Sequence, residues 1–418
     1  MKRKLIFGIL VVGLLAPVGR AAETRTWMSR KGGTVEAELG GVSGDSVTLV
    51  TTPDSKQIKL KIEDLSLADR QHLVEVAGAD AGIITGGKPG LVEKEARIDI
   101  TKFKRLDGGL FFPEGPSDSY DCLETPHFLV ASAGRKVRPN HVAETAERMW
   151  HGMAFQHMNF RQDWGNKRML ILLVEDRSAY KSLGDWYANS VAARGDQDGA
   201  REVKSTWQKL GSTTITVPDT MTTKYNIDPR TLVFNVTEPT KFHKDLEPFP
   251  THSIAGFLLQ KQLGGVSSFG SKGYFAVLTG HAFFKEISLT GKTETNLLAA
   301  TGSSRDDVAT KQGFKDGTSW ARTLRSMVRG GKVKVQLAPM LDWKPEDLGP
   351  EKLVLIYSFA YYMESDSKRL AAFAKMVRRI ESSNQIPAPE EIAKIFGFET
   401  VAAFEADWQA FIKEGEFK

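Results

Sequence analysis

The chain has 418 residues, of which 41% are hydrophobic and 26% charged, as in an ordinary globular protein with room for two or more domains. This composition argues against disorder over most of the length. The formal net charge of +5 falls to +1 without the first 21 residues, because 52 of the 56 basic residues then stand against 51 acidic ones. That near balance removes the main support for a nucleic-acid-binding role.

The first 21 residues have the pattern of a secretory signal peptide. Lys2, Arg3 and Lys4 precede an apolar run over 5–15, and the small residues that end at Ala21 form a cleavage site. The run is shorter than the roughly 20 residues that span a bilayer, so cleavage is favoured over a membrane anchor. The sequence therefore predicts an exported protein, periplasmic or extracellular, with no membrane span after cleavage.

Residues 22–77 are predicted to form a small all-β barrel. Apolar and polar residues alternate over 35–39, 47–49 and 58–62, and turn-forming residues separate these strands. Ser66 is placed to cap a short helix that follows them. We expect residues 22–78 to fold alone.

Several short motifs in this unit recur together: Arg25-Thr-Trp27, Gly32-Gly33, Val35-Glu-Ala-Glu38, Val47-Thr-Leu49, and Leu65-Ser66 followed by Asp69. In this combination the unit resembles the first Sla homology domain (SHD1), an SH3-like module. The resemblance implies protein or peptide binding, with Trp27 as a candidate contact residue or, equally, a core residue.

Residues 78–94 are rich in glycine and alanine at their start and are predicted to be a linker. Residues 95–124 form a connecting segment of uncertain structure, with a possible strand over 96–100. The single cysteine, Cys122, lies in this segment, so no internal disulfide can form and stability must come from core packing.

Residues 125–415 are predicted to form a second domain, a mixed sheet followed by helices. Strands are expected over 127–130, 168–174 and 231–236, and Asp176 is placed to cap the helix after the second of them. Helices are expected over 140–160, 250–264, 273–287, 350–363, 367–382, 389–396 and 400–414.

Three motifs in this order resemble the gluzincin-like peptidase MA family: Thr125-Pro-His127-Phe-x-Val130, Val174-Glu-Asp with Tyr180, and Ile395-Phe-Gly-Phe398 with Phe404 and Trp408. The resemblance implies an α+β protein in which an SH3-like barrel is joined by a linker to a gluzincin-like domain.

The zinc-binding helix of that family reads HExxH, whereas this chain has His252-Ser253-Ile254-Ala255-Gly256. The resemblance places Thr279 where the third zinc ligand, a glutamate, should be. Catalytic zinc generally takes three protein ligands. We therefore predict no catalytic residue, no metal and no cofactor. If a metal site survives, its candidates are His252, His281 and Glu286.

The sequence thus predicts an exported pseudo-peptidase that acts through protein or peptide binding, with the N-terminal unit as interaction module. A groove between the mixed sheet and the helix at His252 is the expected binding place, lined by Tyr274, Phe275, Phe283 and Phe284 unless these are core. Two alternatives stay open: a metallohydrolase with an unorthodox zinc site around His252, and a structural envelope protein.

Overall fold

The computed structural model describes residues 23–85, 90–112, 120–157, 160, 166–264, 272–295, 317–415 and 417. The predicted signal peptide, residues 1–21, lies outside these ranges. The protein is α+β, as predicted, with two separate sheets and a large helical layer.

The first sheet is an antiparallel meander in which each strand pairs with the next along the chain. Its strands are β1 (Arg25–Met28), β2 (Thr34–Ser43), β3 (Ser46–Thr51) and β4 (Gln57–Lys61). Among the described residues β1 and β4 do not pair, and a single bridge from Ser29 to Leu65 follows β1. The expected SH3-like barrel is therefore an open sheet and not a closed one.

The helix that follows this sheet, α1 (Leu67–Ala77), begins where the sequence predicted it. The Ser66 hydroxyl accepts a hydrogen bond from the Asp69 backbone N–H at 3.0 Å, and Gly78 ends the helix in the left-handed conformation. The unit has its own small core: Trp27, Ala37, Val47, Leu49, Ile62, Leu65 and Leu73. Met28 and Leu67, however, pack into the larger core of the second unit. The two units therefore share an apolar contact.

The predicted linker contains two short helices, α2 (Gly82–Thr85) and α3 (Val92–Glu95). Glu93 is only 1% exposed, so this part of the segment is built into the second unit. The strand expected over 96–100 does not form. The Ala96 carbonyl accepts a hydrogen bond from the Arg148 side chain, and the Arg97 N–H donates to the Lys31 carbonyl, which leaves that backbone outside any sheet.

The second sheet has six strands in the order β5-β6-β7-β8-β10-β9. Its centre is parallel, whereas β5, β6 and β9 run antiparallel to their neighbours. The strands are β5 (Lys104–Arg105), β6 (Asp121–Glu124), β7 (Phe128–Ser132), β8 (Arg168–Val174), β9 (Ser212–Thr216) and β10 (Ile227–Asn235). The three predicted strands are thus confirmed as its parallel centre.

Helices cover both faces of this sheet, because alternate residues of its central strands enter two different cores. Ile171 packs on the face of α4 (Pro139–Gln156), and Leu172 packs on the opposite face against α5 (Arg177–Ala193). Two shorter helices join that opposite layer: α6 (Gln197–Thr206) and α7 (Asp219–Tyr225).

The helical layer beside α4 forms the largest core of the protein. Its helices are α8 (Pro248–Leu263), α9 (Tyr274–Thr290), α10 (Trp320–Arg329), α11 (Leu337–Leu341), α12 (Pro350–Glu364), α13 (Ser367–Ser383), α14 (Pro389–Ile395) and α15 (Val401–Glu414). Within the described ranges, none of the helices combines the length and the apolar character needed to cross a membrane.

Candidate functional site

His252 lies near the start of α8 and is held by a carboxylate of the next helix. Its Nδ1 is 2.9 Å from Oε2 of Glu286 on α9, and its ring meets Phe283 edge to face. The His252 side chain is 12% exposed, whereas that of Glu286 is fully buried. Two of the three residues that the sequence left as metal candidates, His252 and Glu286, are therefore partners of each other.

The second oxygen of Glu286 is also occupied. Oε1 accepts hydrogen bonds from the backbone N–H groups of Glu294 and Thr295, at 2.8 and 3.2 Å, and from the Thr295 hydroxyl at 3.0 Å. A buried carboxylate with both oxygens bonded is stable in place because its desolvation is compensated. Glu286 thus orients the His252 ring and fixes the segment after α9.

The other positions that the sequence analysis compared with a zinc motif, Ser253, Gly256 and Thr279, contribute to packing. The Ser253 hydroxyl is 2.9 Å from that of Ser212 on β9, which ties α8 to the edge strand. At Gly256 an added Cβ would lie 3.6 Å from the Cβ of Ala282. Thr279 is buried on α9. None of these side chains can supply an imidazole or a carboxylate, so the donor set does not fit a catalytic zinc ion.

His281, the third metal candidate, is also on α9 but belongs to a different cluster of side chains. Its Nδ1 is 2.7 Å from Oε1 of Glu364 on α12. The other oxygen of Glu364 is 3.0 Å from Nζ of Lys285, and that ammonium is 2.8 Å from Oε1 of Glu93 on α3. All four side chains are at most 5% exposed. We call these four residues the buried ionic cluster.

The charges in the buried ionic cluster stabilise one another. Burial alone would raise the pKa of Glu364, but Lys285 and His281 beside it lower that pKa to about 2. Burial alone would lower the pKa of Lys285, but the two glutamates raise it above its ordinary value. Glu364 and Lys285 therefore stay charged at neutral pH. The sequence analysis did not predict this cluster, because its members are far apart along the chain and share no motif.

His157 lies beside this cluster, just beyond the end of α4. It is 3% exposed, and within the described part of the chain neither of its ring nitrogens has a hydrogen-bond partner. Burial lowers the pKa of His157 to about 3, so its ring is neutral at physiological pH. No three His, Cys, Asp or Glu side chains in the described ranges are arranged so that they could hold a metal ion. His252 and His281 are each within hydrogen-bond distance of a buried carboxylate, and His157 is packed in the interior.

The aromatic residues proposed for binding are buried. Trp27 is 1% exposed, and its Nε1–H donates to the Ala37 carbonyl at 3.0 Å. Tyr274 and Phe275 are 0% and 3% exposed, and Phe283 and Phe284 are buried with them. These side chains are core residues, so none of these five rings lines the groove expected beside His252.

A concave pocket of about 410 Å³ lies elsewhere, where β5, β6 and the β7–α4 loop meet. Three arginines line it: Arg105, Arg135 and Arg138. Cys122 also lines it, but burial raises the pKa of this thiol to about 12, so it is not a thiolate at neutral pH. The sequence analysis missed this pocket because Arg105, on β5, is distant in the chain from Arg135 and Arg138, which lie between β7 and α4.

Comparison of the chain with protein-family models, with curated proteins and with solved structures found no match.

Proposed function

We propose that this chain is an exported protein that acts by binding a protein or peptide and has no peptidase chemistry. The observation that supports the proposal is that the side chains at the positions compared with a zinc motif bond to other parts of the fold. His252 is paired with Glu286, and Ser253 with Ser212. The helix that would carry the catalytic groups is thereby engaged in holding the fold together.

The loss of catalysis follows from chemistry as well as from geometry. Glu286 is the carboxylate near His252, and its oxygens already accept hydrogen bonds from the segment after α9. Serine at position 253 cannot act as the general base that a peptidase needs, and losing such a base lowers a rate by about 100- to 10,000-fold. Export is supported by the N-terminal sequence pattern, and binding by the SHD1-like motifs.

The experiment is an affinity selection from a random peptide library on the protein purified after export, followed by anisotropy titration of a selected peptide. We expect saturable binding, with the peptide recovered uncut by mass spectrometry. Metal analysis without chelator should find no stoichiometric zinc. Failure to select any peptide would reject the binding role. Cleavage with turnover, or one zinc per chain that is lost on His252→Ala, would reject the pseudo-peptidase role.

A further inference from the structure

We propose that the arginine-lined pocket binds an oxyanion group, phosphate or carboxylate, of a small soluble molecule. The inference goes beyond the peptide-binding role proposed above, and its test is independent of that role. The pocket volume of about 410 Å³ is within the range of small-molecule sites.

The register of the strands brings the pocket together. Asp121 at the start of β6 is opposite Ser132 at the end of β7, and Arg105 on β5 is opposite Leu123 on β6. The chain then turns from Ser132 into α4, and this turn supplies Arg135 and Arg138. The pocket is therefore at the carboxyl end of a parallel strand, where open α/β sheets usually bind ligands.

The charge of the lining favours an anion. The three arginines are exposed, and among the described residues none has a carboxylate partner. Asp121 is the acidic residue of the lining, and the Glu175 carboxylate lies against the lining residue Gly134. Three positive charges therefore stand against two negative charges, and Glu175 already accepts hydrogen bonds from the loop. Arginine side chains bind phosphate and carboxylate groups through paired, charge-assisted hydrogen bonds.

The start of α4 adds to this preference. The helix begins at Pro139 with Arg138 as N-cap residue, and no side chain caps it. The first N–H groups of a helix carry a partial positive charge. Pro139 has no N–H, so here the first of these groups is that of Asn140, which also lines the pocket. This contribution supports the arginines and would not make a site without them.

The loop before α4 is held in place before any ligand arrives. Both oxygens of Glu175 are used by this loop: Oε2 accepts from the Lys136 N–H at 2.8 Å, and Oε1 from the Val137 N–H at 2.9 Å. A fixed loop lowers the entropy lost on binding. Because its oxygens accept these bonds, Glu175 acts as a positioning residue for the loop.

The test is isothermal titration calorimetry of the protein purified after export with inorganic phosphate and, separately, with citrate. We expect saturable binding that weakens as salt is raised, because the interaction is between charges near solvent. Arg135→Ala and Arg138→Ala should each lower the affinity at least about tenfold, the effect of losing a charge-assisted hydrogen bond. Asp121→Asn should act in the opposite direction and strengthen binding.

Arg322→Ala is the matched control, because Arg322 is an exposed arginine on α10 away from the pocket. It should leave the affinity unchanged, and urea unfolding should show that every variant is folded. Preference for phosphate over citrate, or the reverse, identifies the group that the pocket takes. The proposal is overturned if neither anion binds saturably at tens of millimolar, or if the pocket variants and Arg322→Ala behave alike.

Discussion

Replacement of Lys285 by methionine tests the buried ionic cluster. The ammonium of Lys285 is 2.8 Å from Glu93 and 3.0 Å from Glu364. At an effective dielectric constant of about 20, each contact amounts to about 6 kcal/mol before desolvation is counted. Methionine has a similar volume but no charge, so the substitution removes the attraction while it retains most of the packing.

The loss of stability is smaller than that Coulomb energy, because a buried carboxylate without a partner takes up a proton. The ordinary pKa of a glutamate is 4.5. Protonation of one such carboxyl at pH 7 costs about 3 kcal/mol, since each pKa unit corresponds to about 1.4 kcal/mol. We therefore expect Lys285→Met to lower the free energy of unfolding by about 3 to 5 kcal/mol at pH 7, the range found when a buried ion pair is broken.

The pH dependence identifies the cause. In the wild type the pKa of Glu364 is about 2, below its unfolded value of 4.5. Its contribution to the free energy of unfolding is therefore present above pH 4.5 and is lost as the pH falls toward 2. In Lys285→Met a carboxyl must be protonated on folding, and at pH 5 this costs less than about 1 kcal/mol. The difference between the two proteins should therefore narrow between pH 7 and pH 5.

Urea unfolding followed by circular dichroism at both pH values measures this effect. Lys368→Met is the control, because Lys368 is an exposed lysine on α13. Adding Glu93→Gln to Lys285→Met should restore part of the stability. A loss below about 1 kcal/mol at pH 7, or an equal loss at both pH values, would show that the cluster is not held by charge.

Three further predictions use the same unfolding assay. Gly280→Ala should destabilise the protein by about 1 to 3 kcal/mol, because its Cβ would lie 2.7 Å from the Ile356 carbonyl oxygen. Gly256→Ala should stabilise it by about 0.5 to 1 kcal/mol, because a Cβ has room at that helical position. Equal effects of the two substitutions would refute the packing argument. The pKa of His157 is about 3, below its unfolded value of 6.5. Its contribution to the free energy of unfolding is therefore complete above pH 6.5, and below pH 6.5 it falls by about 1.4 kcal/mol per pH unit. Between pH 7 and pH 5 the free energy of unfolding of His157→Leu should therefore fall by about 2 kcal/mol less than that of the wild type. An equal fall in the two proteins would contradict this. Ser66→Ala should cost about 1 kcal/mol through loss of the α1 cap, and no change would argue against that cap.

Strands and helix caps were predictable where the sequence pattern that specifies them lies within a few neighbouring residues. The strand over 168–174 is buried on both faces and was recognised as a continuous apolar run. The caps at Ser66 and Asp176 follow from side chains that bond to the N–H three residues on. Strand β9 was missed because it is short and consists mostly of serine and threonine.

Long-range pairing was not predictable from the same signals. Glu93 and Lys285 are in contact although nearly half of the chain separates them in sequence. A charged residue in a glycine-rich segment is also normally predicted to be solvent-exposed. The sequence also could not show that His281 pairs with Glu364 and that Glu286 pairs with His252. Partners on different helices become neighbours only through tertiary packing.

The contacts make α9, and not α8, which carries His252, the element on which the helical layer is arranged. Glu286 joins α9 to α8, and Lys285 joins it to both α3 and α12. Gly280 allows α12 to approach α9 until the Ile356 carbonyl fills the place of a side chain, and this approach brings Glu364 within reach of Lys285. Buried ion pairs add little net stability compared with apolar packing, but a shifted helix would leave their charges unpaired. We therefore interpret these polar contacts as the means by which α9 fixes the register of its neighbours.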